Sequence, residues 1–216
     1  MNFNKITRGS YRAENNEQSL FEVLDAGFVC HFAFQAEGQT QIIPTAYGRK
    51  DDILYFHGSA KNHALLSVVN GQTISVSITL VDGLVLATSL FDSSINYRSV
   101  VVFGKPQLVA DFNEKITALE LITEQIIKGR KDEISIGSQN QIDATLVLKM
   151  KIDSASVKIR TGEPQGDENN PCETWSGIIP LKTIALKPEG DSKFNKQTAP
   201  LSPCVSAYYK KHQFSE

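Results

Sequence analysis

Apolar and polar residues alternate along much of the chain between positions 28 and 160, with the two-residue period of β-strands. The strictest case is residues 74–80, where Ile, Val, Ile and Leu alternate with Ser, Ser and Thr. Because successive side chains of a strand point to opposite faces, this segment is predicted to be a strand with one buried face. Residues 28–34 are predicted to be a strand buried on both faces, since apolar residues occupy almost every position. Further strands are predicted at residues 41–47, 53–57, 84–87, 99–109, 144–152 and 154–160.

Three segments have the helical period instead. Residues 17–26 place their apolar side chains on one face, and Gly27 follows as a typical helix end. Residues 62–69 predict a short helix, and apolar residues spaced from Phe112 to Ile126 predict a longer amphipathic one that ends near Gly129. Short turns join most of the strands, and few helices lie between them. This order favours a mainly β fold in which an antiparallel sheet closes into a barrel.

The composition changes after Arg160, where Gly, Pro, Glu and Asn become frequent and Trp175 is the single tryptophan. We assign residues 1–186 to the barrel domain. Residues 187–216 are predicted to form a C-terminal tail that is loosely ordered or packs on the barrel.

The charge and hydropathy of the sequence limit the kinds of partner that the protein is expected to bind. The 22 Lys and Arg residues nearly balance the 24 Asp and Glu residues, so no overall charge favours nucleic acid or an anionic membrane surface. The amino-terminal segment is polar, and no stretch approaches the roughly 18 apolar residues of a membrane span. The three cysteines are too scattered for a disulfide framework. We expect a cytoplasmic protein that acts on a small molecule and binds neither nucleic acid nor membrane.

Several common catalytic motifs do not occur in the sequence. Cys30 and His31 are neighbours on a predicted strand and point to opposite faces, so they cannot bind the same metal ion. The chain has no H-E-x-x-H motif, no paired cysteines, no G-x-S-x-G elbow, no G-x-G-x-x-G fingerprint and no P-loop. We therefore expect no metal site.

Residues 57–62, with the sequence HGSAKN, contain the first candidate site. A predicted strand ends here in a Gly-Ser turn that opens into the short helix. Free backbone N–H groups, the positive end of the helix dipole, Ser59 and Lys61 would then converge on one phosphate. The alternative is that Ser59 only caps the helix. His57 is either an acid–base group or a structural histidine.

Three other features carry candidate ligand contacts. Strand alternation puts Lys158 and Arg160 on one face, where they either stay solvated or bind an anion or an electron-rich ring. Residues 94–99 are dense in hydrogen-bond donors, which indicates a surface turn or a ligand-binding loop. Trp175 is either a plug over the core or a stacking surface for a planar ligand.

Six blocks of sequence occur in an order typical of one known family. They are IPTAYGR at 43–49, LYFHGS at 54–59, VDGLVLA at 81–87, NYRSVVVFG at 96–104, KIR at 158–160 and WSG at 175–177. With these blocks, the chain resembles the flavin-nucleotide-binding proteins of the pyridoxamine-phosphate-oxidase-like superfamily, which includes the nitroimidazole-resistance reductases. The resemblance covers most of the chain, from about residue 8 to residue 180.

The resemblance implies an antiparallel split β-barrel that works as a homodimer, with FMN bound non-covalently at the subunit interface. The residues implied alongside the isoalloxazine ring are Pro44, Thr45, Ala46 and Tyr47. Those implied around the phosphate and the ribityl chain are His57, Gly58, Ser59, Lys61, Asn62, Arg98 and Ser99. Those implied to reach in from the partner subunit are Lys158, Arg160 and Trp175.

This chain departs from the family pattern where the substrate is expected to approach. Thr88, Asp92 and Ser93 stand where family members usually carry an arginine and a histidine pair, and Lys131 stands where a tryptophan is common. These departures affect the transfer of a particular activity more than the transfer of FMN binding.

The leading hypothesis is an FMN-dependent oxidoreductase that acts on a small conjugated or nitro-aromatic compound, with His57 as the proton donor. A second hypothesis is a module that binds flavin for storage or sensing without rapid turnover. A third, outside flavin chemistry, is a small barrel that binds another phosphorylated ligand at residues 58–61. The sequence specifies neither the electron donor nor the acceptor.

Overall fold

The computed structural model describes residues 1–7, 9–165, 173–191, 193 and 200–214, and in these ranges the chain is mainly β. Its strands are β1 (Asn2–Phe3), β2 (Val29–Ala36), β3 (Gln39–Lys50), β4 (Ile53–Ser59), β5 (Ile74–Leu86), β6 (Ser94–Gly104), β7 (Pro106–Leu108), β8 (Thr145–Lys151), β9 (Ser154–Arg160) and β10 (Gly177–Pro180). They form one curled sheet in the order β1-β9-β6-β5-β2-β3-β4-β8-β7, with β10 added to β5. The pairings are antiparallel except that of β1 with β9. The predicted antiparallel split barrel is confirmed.

The helices are α1 (Glu17–Ala26), α2 (His63–Ser67), α3 (Phe112–Ile126), α4 (Gln139–Asp143) and α5 (Pro203–His212). The predicted bounds of α1 and the predicted start of α3 are confirmed, because a side-chain cap lies just before each apolar stripe: Asn16 accepts from Ser19 N and Asp111 from Glu114 N. The end of α3 at Ile126 comes before the predicted end near Gly129. The helix predicted at residues 62–69 is only the short α2, followed by a 3₁₀ turn at Val68–Asn70. None of the described helices is long and apolar enough to cross a membrane.

The main core fills the inside of the barrel. On β2, Cys30, Phe32 and Phe34 are buried there, and α1 contributes Leu20 and Leu24. The other side of β2 is exposed or half-buried, so the prediction that both of its faces are buried is wrong. The reason is that the second layer, α3, covers β3 and β4 instead. Burial raises the pKa of the Cys30 thiol to about 12.

The second layer is a smaller apolar cluster between the sheet and α3. Its buried members are Tyr55, Val109, Ala118, Ile122 and Val147. Gly48 of β3 lies directly beneath α3, where a Cβ atom would come within 2.6 Å of Ile122 N. This contact requires the absence of a side chain, since the neighbouring atoms belong to the helix backbone.

Strand β5 is longer than predicted, whereas β6 begins earlier than predicted and ends at Gly104, so the strand predicted at residues 99–109 is divided between β6 and β7. The segments expected at residues 74–80 and 84–87 form one strand, because a β-bulge between Val81 and Gly83 lets the pairing with β6 continue. Residues 94–99, expected to be a polar turn or loop, are the first half of β6 and pair with β5 and β9. Their polar side chains therefore have fixed directions on the sheet.

The described part of the C-terminal tail contains α5, which the sequence did not predict. Cys204 at its first turn donates through its backbone N–H and its thiol to the carboxylate of Glu133, at 2.8 and 2.9 Å. Arg130 donates to the same carboxylate at 3.2 Å. At the other end of α5, the backbone of Ala185 donates to the His212 carbonyl at 2.9 Å. Both ends of the helix are thus hydrogen-bonded to other parts of the chain.

Candidate functional site

The outer surface of β2, β5, β6 and β9, together with the first half of β3, is uncovered by any described element except at its edges; we call it the open face. Directly paired residues of neighbouring strands project to the same side of a sheet. One row therefore runs across the open face through Pro44, His31, Ser77, Val101 and Ser156. Adjacent to this row, Ala46 pairs with Val29, and Ser99 pairs with both Thr79 and Lys158.

The open face carries small hydroxyl side chains and exposed apolar ones. Ser75, Ser77 and Thr79 of β5 lie on it, beside Ser99 of β6. Val29 is 45% exposed and Ile42 is 62% exposed. Short side chains keep the surface flat and still offer hydrogen bonds, which suits a planar ring system with polar edges. Ser77 and Thr79 were not among the predicted site residues, although the clean alternation of residues 74–80 places them on one face of the strand.

The split in the barrel lies where β3 separates from β4. Residues 39–46 of β3 pair with β2, but β3 pairs with β4 only from Tyr47 to Lys50. Pro44, Thr45 and Ala46 therefore lie on one side of the opening. His57 and its neighbours at the end of β4 lie on the other side, just beyond the last pair, Tyr47 with Phe56. The structure thus brings two of the predicted segments to one opening.

The side chain of Tyr47 is not part of this surface, which corrects its predicted place beside a ligand ring. It is fully buried, and its hydroxyl donates to the carbonyl oxygens of Leu24 at 2.5 Å and Gly27 at 3.2 Å. Burial also raises the pKa of the hydroxyl, so it stays protonated. Tyr47 ties β3 to the end of α1.

The predicted phosphate turn at residues 57–62 does not have the free backbone donors expected of it. The N–H of Ala60 donates to Ala144 O at 3.0 Å, that of Lys61 to Ser59 Oγ at 3.2 Å and that of Asn62 to Ser59 O at 2.8 Å. The alternative role of Ser59 as a helix cap is also wrong, because the side chain of Asn62 caps α2. Gly58 makes room for Leu65, since a Cβ atom would lie 2.6 Å from Leu65 Cδ1. Only the exposed side chains of His57, Ser59 and Lys61 remain for a ligand.

Both predicted arginines already have protein partners. The guanidinium of Arg98 donates to both carboxylate oxygens of Asp82, at 2.9 and 2.6 Å, while staying 39% exposed. Arg160 is buried and donates to the side chain of Asn96, which in turn donates to Gly162 O at 3.1 Å. Arg160 therefore braces the end of β6: strand alternation places it on the same face as Lys158, but its side chain is covered. Lys158 lies on the open face, half-buried and paired with Ser99.

Trp175 precedes β10, at the edge of β5. Its side chain is 62% exposed, so the alternative that it plugs the core is wrong. The exposed ring remains available for stacking against a planar group.

His57 lies on the outer side of β4, and nearby protein atoms that exclude water lower its pKa below the usual 6.5. The ring is therefore neutral at pH 7, a state that favours hydrogen bonding or proton acceptance over proton donation. Within the described ranges, no group of three or more His, Cys, Asp or Glu side chains is placed to hold a metal ion.

The lowered pKa of His57 makes stability depend on pH in a defined direction. The unfolded chain binds the proton more readily, so the contribution of His57 is fully present above pH 6.5 and is lost as the pH falls below that value. We expect urea unfolding at pH 7.5 and pH 5.5 to show a smaller loss of stability for His57→Gln than for the wild type. Equal losses in the two proteins would contradict the assignment.

A cavity of about 680 Å³ adjoins the open face at Val29 and Thr79. Its other walls come from the end of α3, residues 183–185 and α5. No sequence pattern predicted this cavity, because its walls come from segments that are distant along the chain.

The sequence and the structure of this chain are both similar to those of known proteins. The family model described as pyridoxamine 5'-phosphate oxidase matches residues 16–159. No curated protein matches the chain. The structure is similar to the flavocytochrome Anf3 from Azotobacter vinelandii, with a TM-score of 0.87 and 29% identity over 94% of each chain. It is also similar to an FAD and heme binding protein from Mycobacterium smegmatis, with a TM-score of 0.85 and 30% identity over 91% of this chain and 97% of that one. A proposed 5-nitroimidazole antibiotic resistance protein from Bacteroides thetaiotaomicron VPI-5482 shares the fold, with a TM-score of 0.58 and 21% identity over 68% of this chain and 86% of that one.

Proposed function

Because the chain belongs to the pyridoxamine 5'-phosphate oxidase family and its structure is similar to that of an FAD and heme binding protein, we propose that it binds a flavin nucleotide on the open face and uses it to oxidise or reduce a small conjugated compound. The flavin would supply hydride and electron transfer. The protein itself would hold the isoalloxazine ring, determine the polarity of the ring's surroundings and leave one face of the ring accessible.

The observation that carries this proposal is the register of the open face. Pairing places Ser99 between Thr79 and Lys158, close to the row that begins at Pro44. Hydroxyl groups can hydrogen-bond the polar edge of an isoalloxazine, and a lysine near its pyrimidine part favours the reduced, anionic form. The residues present therefore fit a flavin ring. Lys61, beside the opening at the end of β4, is an exposed cation that could meet its phosphates.

We propose FAD in place of the FMN predicted from sequence. FMN ends in a phosphate dianion, which is usually held by several backbone N–H groups, and those of residues 60–62 are already used within the protein. FAD continues beyond its phosphates into an adenosine, so it depends less on that turn. The Mycobacterium smegmatis relative, which is an FAD-binding protein, supports this choice.

We also propose that two copies of the chain pair through the open face, with the flavin between them. Exposed apolar side chains at Val29, Ile42 and Val81 are costly in water, and a second copy would cover them. Trp175 would then be available to stack on the flavin of the other copy.

The first test is to identify the pigment of the purified protein. We expect absorbance near about 450 nm and, after denaturation, close to one FAD per chain by chromatography and mass spectrometry. Light scattering is expected to give the mass of a dimer. Steady turnover with NAD(P)H and an acceptor would support an enzyme, whereas bound FAD without turnover would support a storage or sensing module. A colourless protein that binds neither FAD nor FMN when they are supplied in excess would overturn the proposal.

A second function, heme binding, is proposed on a separate observation. The family model ends at residue 159, whereas the similarity to the flavocytochrome and to the FAD and heme binding protein extends well into the residues that follow. The nitroimidazole-resistance neighbour covers a smaller share of this chain. The C-terminal part of the fold is thus a feature that this chain has in common with relatives named for a second cofactor.

A further inference from the structure

The cavity beside the open face has the size and lining of a cofactor site. Its volume of about 680 Å³ lies within the range of roughly 300–1,000 Å³ that is usual for such sites. Most of its lining is apolar, including Phe28, Leu80, Ile126 and Ile184. A largely apolar cavity of this size has room for a large hydrophobic ligand.

His212, in the last turn of α5, is the histidine that lines this cavity among the described residues. Its Nδ1 lies 2.9 Å from the carbonyl oxygen of Tyr208. A carbonyl oxygen can only accept, so Nδ1 carries the proton and the neutral ring keeps a lone pair on Nε2. Metal-binding imidazoles are commonly held in this way, with the second nitrogen donating to a backbone carbonyl.

The ring of His212 is also fixed in position. The Tyr208 ring stacks on it, with centroids 4.2 Å apart and an angle of 29° between the planes. The hydrogen bond from Ala185 N to His212 O ties the same residue to another wall of the cavity. Within the described part of the chain, Nε2 makes no hydrogen bond. An imidazole that is held in place and keeps its lone pair is suited to coordinate a metal ion.

The charged residues of the cavity complete the requirements of one ligand class. Lys128 and Lys211 both line it, next to the apolar walls, and the lining carboxylate of Asp25 is already paired with Arg49. An iron porphyrin combines an apolar ring, two carboxylates and an iron atom that takes an axial imidazole. Apolar walls, two lysines and His212 match these three parts.

We propose that this cavity is a heme site and that His212 Nε2 would bind the heme iron, an inference that rests on the proposed heme binding. Val29 and Thr79 line the cavity and also lie next to Ala46 and Ser99 of the open face. A heme in the cavity and a flavin on the open face would share this wall. The C-terminal segment then serves to add the second redox group beside the first.

Hemin titration of the purified protein, followed by its Soret band, tests the assignment. We expect His212→Ala to bind hemin at least about tenfold more weakly than the wild type and to lose the spectrum of the imidazole-ligated iron. Added imidazole should restore that spectrum in the variant, which a purely structural role of His212 would not predict. His63→Ala is the matched control, since His63 is an exposed helix residue that does not line the cavity, and it should behave like the wild type.

A steric pair of variants tests the cavity independently of the ligand. Ala207 lines the cavity and Lys210 of the same helix does not. We expect Ala207→Trp to lower heme content and Lys210→Trp to leave it unchanged.

Measuring the flavin content of every sample distinguishes a failure of the proposed heme binding from a failure of the proposed cavity and ligand. A wild type that carries flavin but takes up no heme would overturn heme binding altogether. A wild type that binds heme with an identical spectrum and affinity in His212→Ala would overturn only the assignment of the cavity and its ligand. Loss of heme with retained flavin in His212→Ala would support both.

Discussion

Replacing Gly48 with alanine is expected to lower the free energy of unfolding by about 1–3 kcal/mol, although it adds a single methyl group. That methyl carbon would lie 2.6 Å from Ile122 N and 2.7 Å from the carbonyl carbon of Leu121. Both are backbone atoms of α3, so rotation of a side chain cannot relieve the overlap. The helix has little freedom to move, because Gln125 donates to Leu24 O at 2.9 Å and to Gly27 O at 2.5 Å.

Urea denaturation followed by circular dichroism measures this effect. Lys50→Ala is the matched control, because Lys50 is an exposed residue of the same strand and should change stability little. If the Gly48→Ala protein were as stable as the control, α3 could not pack as closely on β3 as the structure has it.

Replacing Lys158 with alanine is expected to weaken flavin binding by about tenfold to a hundredfold, which corresponds to the loss of one hydrogen bond to a charged partner. Lys158 is the cation that lies on the open face next to Ser99. Titration of the apoprotein with FAD, followed by quenching of flavin fluorescence, gives the dissociation constant.

Two companion variants make this result specific. Lys158→Arg keeps the charge and should recover part of the affinity, whereas Lys50→Ala removes a lysine that is remote from the open face and should have no effect. Unchanged affinity in a folded Lys158→Ala protein would remove Lys158 from the binding site.

The fold could be predicted in outline because its signals are local. Alternation along residues 74–80 follows from one buried face, and the caps at Asn16 and Asp111 coincide with the starts of apolar stripes. In contrast, α5 has a weak apolar pattern, and only Pro203 at its first turn and the basic residues at its last turn indicated a helix. Contacts with distant segments determine its position.

The site was less predictable than the fold for a physical reason. Ala46, Ser99 and Lys158 project to the open face because strand alternation sets the direction of each side chain. The roles of Arg98 and Arg160 depend on Asp82 and Asn96, which lie 16 and 64 positions away along the chain. Such long-range partners decide whether a cation remains available for a ligand, and alternation within one strand does not report them.

The carboxylate of Glu133 has a consequence for the acid tolerance of the C-terminal helix. The Cys204 thiol, the Ser202 hydroxyl and the Cys204 amide hydrogen-bond it and lower its pKa from 4.5 to about 2. Since the folded pKa is depressed, the attachment is intact above pH 4.5 and weakens only as the pH falls toward 2. Acid would therefore weaken this attachment of α5 only well below pH 4.5, so changes of pH near neutrality do not release the helix through Glu133.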